Sequence, residues 1–226
     1  MAKIRWAETV EALTGEYGAL DEVITALDIN ELLTPSGCRG WTNADLIFHL
    51  LLDAQRALVT FNSAAPRPAD TDFVDYWKGF DASDDGSQAH SRFVRISAAA
   101  HQDLTKIASR WHETARAAIR GARKTSETDF FTTQGHVLAN ADFIATLVVE
   151  AAVHHLDLVA GLDGKPSPTK SALSITTRTL DGLLRHARPD AWDDIEYILK
   201  ATGREPLTDD DTIALGEASH SLPVFS

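Results

Sequence analysis

The chain has 226 residues, 44% hydrophobic and 24% charged, the balance of a globular protein long enough to bury a core unaided. Its net charge of -12 repels phosphate backbones, and no basic run interleaved with aromatics offsets that repulsion, so nucleic acid is not an expected partner. Cys38 is the only cysteine, which excludes an intramolecular disulfide and a Cys-rich zinc site.

The opening Met1-Ala-Lys-Ile-Arg-Trp is followed by Glu8, Glu11 and Glu16 rather than by an apolar run, so no signal peptide is read there. No stretch approaches the roughly 18 apolar residues of a membrane span, and a cytoplasmic protein is expected. From Trp6 to Leu27 the apolar residues step by three and four, which predicts a first amphipathic helix. Thr34-Pro35-Ser36-Gly37 interrupts it. Thr42 then reads as an N-cap, with Asp45 placed to meet free amides, for a second helix that carries Leu46, His49, Leu50 and Leu58 towards Asn62.

Residues 63–89 are rich in Ala, Pro, Asp, Ser and Gly and read as a long connection with one helical turn around Phe73, Tyr76 and Trp77. A third, Ala-rich helix is predicted from Ser91 to Arg120, and Gly121 to Gly135 as a second connection. The fourth helix, Leu138 to Leu162, is apolar around most of its girth and should be the most buried. Gly161, Gly164, Pro166 and Pro168 end it. Three short helices follow, near 170–186, 190–201 and 208–218, the last with a capping box from Thr208 and Asp211. Strand-like alternation is nearly absent, so the class is all-α.

Within the fourth helix Glu150 and His154 stand at i and i+4, on one face and with Cβ atoms about 5–6 Å apart. A carboxylate and an imidazole are costly to bury alone in so apolar a helix. Two readings answer that cost: a hydrogen-bonded core pair, or two ligands of a divalent cation. His49 lies in another apolar stripe and would make the second reading a three-ligand site with positions open for water or substrate. His155 is turned by about 100° from His154 and cannot face the same ion, so it reads as a packing residue or a support to a ligand. Asp157 could orient the His154 imidazole or a neighbouring arginine, and Asp45 and Asp53, flanking His49, could do the same for it or simply be solvated charges. Cys38 reads as a small apolar filler beside Trp41 or a reactive thiol, and the remaining histidines, His90 among them, as surface residues.

Two segments resemble a known family. They are Gly40-Trp41-Thr42-Asn43-Ala44-Asp45-Leu46 with His49-Leu50, and Val149-Glu150-Ala151-Ala152-Val153-His154-His155-Leu156-Asp157-Leu158. Both are similar to the mycothiol-dependent maleylpyruvate isomerases, whose metal-binding domain belongs to the DinB-like four-helix metalloproteins. The resemblance covers about the first 165 residues. It implies a DinB-like four-helix bundle over 1–165, a short helical C-terminal extension over 166–226, and metal ligands at His49, Glu150 and His154. Ala201-Thr202-Gly203-Arg204-Glu205-Pro206 also resembles an element near the end of relatives. Arg204 there is read either as a salt bridge to an acidic helix or as a catalytic anion clamp over the pocket. The family's characterised members carry a mixed α/β C-terminal domain, from which this short helical tail departs.

The function implied is an enzyme dependent on a divalent metal (zinc first, with nickel, iron or manganese as alternatives) and on a small thiol such as mycothiol. It would isomerise a small electrophilic or carboxylate substrate or, as an S-transferase, add the thiol to it. The alternative is a non-catalytic metal-binding stress-response protein, and either would be a monomer or homodimer.

Overall fold

The computed structural model describes residues 4–78, 80 and 85–225. Met1 to Lys3 of the opening segment, Gly79 and 81–84 of the expected 63–89 connection, and Ser226 lie outside the described residues. The described chain is mainly helical: α1 (Trp6–Thr25), α2 (Ile29–Leu33), α3 (Asn43–Thr60), α4 (Asp85–Ala99), α5 (Thr105–Ala122), α6 (Asn140–Val159), α7 (Lys170–Leu184), α8 (Asp194–Ala201) and α9 (Asp209–Leu215). A short hairpin of β1 (Phe130–Thr133) and β2 (His136–Ala139) stands before α6.

Three expectations are corrected. The predicted third helix is two, α4 and α5, broken at His101–Leu104, where Asp103 accepts the Thr105 amide (3.1 Å) and hydroxyl (2.6 Å). The second connection contains β1, half of a small hairpin within a chain that is otherwise helical, as its class predicts. A short α2 also follows α1, opened by a capping box between Asp28 and Glu31.

Helix α6, the predicted fourth helix, is deeply enclosed. Its residues from Phe143 to Val149 are all buried, and so is most of the turn beyond Glu150. It packs on α1 and α7 and touches α3, while α5 packs on α3 and α1. Tyr17 of α1 meets Trp111 of α5 with ring centroids 5.2 Å apart. Burying such large side chains contributes about 1.5–3 kcal/mol each, and that energy fixes the helices side by side. Helix α4 is held more thinly. It packs on α3, and Val94 and Ala98 are its only buried residues among those described.

The C-terminal helices share this core. Helix α7 lies on α6 and α1, and α8 lies on α7. Lys200, 4% exposed, bonds Asp211 (2.7 Å) and Glu196 (2.6 Å), while Trp192 Nε1 donates to Asp211 (2.7 Å). Those bonds pin α8 to α9 and set where the segment after α8 leaves. Gly203, at φ +72°, takes the left-handed turn that glycine adopts without strain and sends Arg204 back towards α6.

Candidate metal centre

The site begins with the start of α3. Thr42 Oγ1 accepts the Asp45 amide (3.3 Å) and Asp45 Oδ2 accepts the Thr42 amide (2.9 Å), the reciprocal cap expected from the sequence. This fixes the helix register and presents His49 towards α6. From α6, Glu150 and His154 point back one turn apart. His49 Nε2 lies 3.0 Å from Glu150 Oε1, and His154 Nε2 lies 3.6 Å from the same oxygen. The two imidazole rings meet edge to face, centroids 4.8 Å apart.

These spacings suit a cation. Ligand atoms bound tetrahedrally at 2.0–2.1 Å from zinc stand about 3.3 Å from one another, and the observed separations bracket that value. Side-chain exposures of 14% for His49, 21% for Glu150 and 13% for His154 leave the cluster partly open. Among the described residues two groups have metal-ligand spacing: His49–Glu150–His154, and Cys38–His154–Asp157.

The outer side of His154 is the more elaborate. Its Nδ1 donates to Asp157 Oδ2 at 2.9 Å. Arg204 grips the same carboxylate with both arms of its fork, Nε to Oδ1 and Nη2 to Oδ2, each at 2.8 Å. Asp157 therefore orients both the imidazole and an arginine. Arg204 also donates from Nη1 to the Thr202 carbonyl (3.1 Å), so three of its five N–H groups are held by the protein. In this structure Arg204 forms the salt bridge to the acidic end of α6.

A glycine makes this arrangement possible. The Gly37 amide donates to the Asp157 carbonyl at 2.7 Å, and a Cβ on Gly37 would lie 2.7 Å from Asp157 Oδ1 and 2.9 Å from its Cα. The loop before α3 can thus lie against α6 only with glycine at that position. It brings Cys38 with it: the thiol donates to Asp157 Oδ2 (3.2 Å) and its sulfur is 3.6 Å from His154 Nδ1. Cys38 is therefore more than apolar filling beside Trp41, a role that its loop position does not signal.

The electrostatics follow. Burial alone would raise the Glu150 carboxyl, but hydrogen bonds to His154 and His49 outweigh it and hold it well below the carboxylate range. Burial would likewise lower His154, yet Cys38, Asp157 and Glu150 together raise it well above the usual imidazole range. Burial opposes ionisation of Asp157, but His154 and Arg204 hold it far down. Burial raises the Cys38 thiol more than His154 beside it lowers it.

His155 faces away, as its rotation requires. It is fully buried, with Nδ1 2.7 Å from Glu16 Oε1 and Nε2 3.1 Å from the Pro166 carbonyl, while Glu16 Oε2 accepts the Thr169 amide (2.8 Å) and hydroxyl (2.9 Å). Asp45 is spent on the α3 cap and Asp53 pairs with Arg56. His90, read as a surface histidine, instead places Nε2 3.3 Å from His49 Nδ1. About one helical turn along α3 from His49, a hollow of about 570 Å³ includes Thr42 and Asp45 in its wall together with Arg92 and Arg95 of α4.

The chain matches the mycothiol maleylpyruvate isomerase N-terminal domain over residues 6–159. It belongs to that family. The matched span holds His49, Glu150, His154 and Asp157, while Arg204 lies beyond it. No curated protein and no solved structure matches this member of the family. No described helix is long and apolar enough to cross a membrane.

Proposed function

We propose that this protein is a divalent-metal enzyme that works with a low-molecular-weight thiol of the mycothiol kind, isomerising a small electrophile or, as an S-transferase, adding the intact thiol to it. One observation carries the reading: two imidazole Nε2 atoms and a carboxylate converge at ligand spacing in a family named for mycothiol. In this reading α1, α3, α5 and α6 form the DinB-like bundle of residues 1–165, and the helical extension of 166–226 packs on it and contributes Arg204.

His49, Glu150 and His154 hold the cation, with zinc the first expectation for such donors. When bound, it stabilises a thiolate at neutral pH and so supplies the nucleophile. The protein's own residues prepare that chemistry. With the cation bound, Asp157 would keep the one remaining His154 proton on Nδ1 and leave Nε2 to ligate. Arg204 holds Asp157 ionised and fixed, and so acts through it as a positioning residue.

A thermal-shift series on metal-loaded and metal-stripped protein tests the reading with mycothiol, glutathione and bacillithiol. Mycothiol is expected to raise the melting temperature of the loaded form only. A loaded protein indifferent to all three thiols overturns the thiol enzyme and leaves a metal-binding protein.

A further inference from the structure

We infer that His90 is a positioning residue for the metal ligand His49, fixing the tautomer and tilt of its ring from the outer side. The inference rests on the proposed metal reading. A histidine that ligates through one nitrogen carries its proton on the other, and that N–H is ordinarily donated to an acceptor that orients the ring. For His154 the acceptor is Asp157. For His49, once Nε2 binds the cation beside Glu150, the proton belongs on Nδ1, and the atom facing Nδ1 is His90 Nε2 at 3.3 Å.

The ring geometry agrees. His90 meets His49 at 74° with centroids 5.5 Å apart, an edge approach that brings nitrogen to nitrogen. The next residue reinforces it. Ser91 Oγ accepts the indole N–H of Trp41 at 2.8 Å, and the Trp41 ring lies 5.3 Å from His49 on another side. Two consecutive residues of α4 therefore support His49, one directly and one through Trp41. Helix α4 buries little else, so its docking on α3 and the alignment of His49 are linked. With His90 accepting through Nε2, its own proton sits on Nδ1.

The two ligand imidazoles are thus backed unequally. His154 has a clamped carboxylate, and His49 has an exposed imidazole that solvent can partly replace. The loss on removing it belongs at the lower end of the 10–100-fold range for such supports, at about tenfold in metal affinity.

Competition titration of zinc against a chromophoric chelator tests this on the parent protein, His90→Ala, His90→Gln and the remote control His220→Ala. His90→Ala is expected to bind zinc about tenfold more weakly than the parent. His90→Gln, whose amide oxygen can accept the same proton, is expected to recover most of the loss, with His220→Ala unchanged. The melting temperature of stripped His90→Ala should equal the parent's, which separates positioning from folding. If the parent binds zinc and His90→Ala matches it, or His90→Gln is as weak as His90→Ala, the role of His90 falls and the metal site stands. A parent that binds no zinc removes the metal reading and this inference together.

Discussion

Replacing Asp157 by Asn leaves the shape of the α6 end nearly unchanged and removes one charge. The Asp157 side chain is 1% exposed, and its two oxygens serve His154 Nδ1, both arms of Arg204 and the Cys38 thiol. An amide has only one acceptor oxygen, so its NH2 must face at least one donor, either the arginine or the imidazole. Removing one partner of a buried pair costs about 3–5 kcal/mol. Arg204 keeps 17% of its side chain exposed and can partly rehydrate, which favours the lower value, about 3 kcal/mol. For a chain of this length that is a fall of roughly 6–12 °C in melting temperature. Freed from its carboxylate, His154 should also hold metal about 10–100-fold more weakly. Denaturant unfolding and chelator competition measure the two effects separately. An Asp157→Asn protein within about 0.5 kcal/mol of the parent and equal in metal affinity would refute the role given to this carboxylate.

Other perturbations test other joints of the fold. Gly37→Ala forces a Cβ into Asp157 backbone and side chain, so the loop must lift; stability should fall by about 2 kcal/mol, with weaker metal binding, and an unchanged protein would deny the close approach. His155→Ala removes a fully buried ring and strips Glu16 of one partner, costing about 3 kcal/mol while metal affinity holds; loss of metal there would assign the wrong histidine of the pair. Burial and the charge of Asp72 raise Asp142 to about 6, so the folded state binds this proton more tightly than the unfolded chain, and stability falls as pH rises from about 4 through 6. Asp142→Asn should therefore gain about 1 kcal/mol at pH 7, after screening and the loss of an N-terminal helix charge, and nothing at pH 4; equal gains at both pH values would contradict the shift.

The long helices are legible because their cores repeat at helical spacing, and the α3 cap because Thr42 and Asp45 stand three apart. The ligand cluster is legible for a related reason: polar residues in apolar stripes must find partners, which Glu150 and His154 do along α6 and His49 does across the bundle. The hairpin is hidden because Phe130-Phe131-Thr132-Thr133 shows no alternation. Its signal lies in the turn, where Gln134 and Gly135 both take positive φ, +47° and +86°, in a two-residue connection between β-prone runs. The break between α4 and α5 carries neither proline nor glycine, and at it Asp103 reaches forward to accept from the Thr105 amide and hydroxyl. Cys38 and His90 reach the site through loop docking and helix packing, which no local pattern encodes. Arg204 is legible as a residue that reaches back, but its target depends on where Gly203 turns the chain.

The most direct measurement is the metal content of protein purified without chelators, compared with that of His49→Ala. The parent should carry close to one divalent ion per chain. The variant should lose it while its helical circular dichroism stays intact. Metal-free parent protein, or full occupancy retained in His49→Ala, would contradict the site at His49, Glu150 and His154.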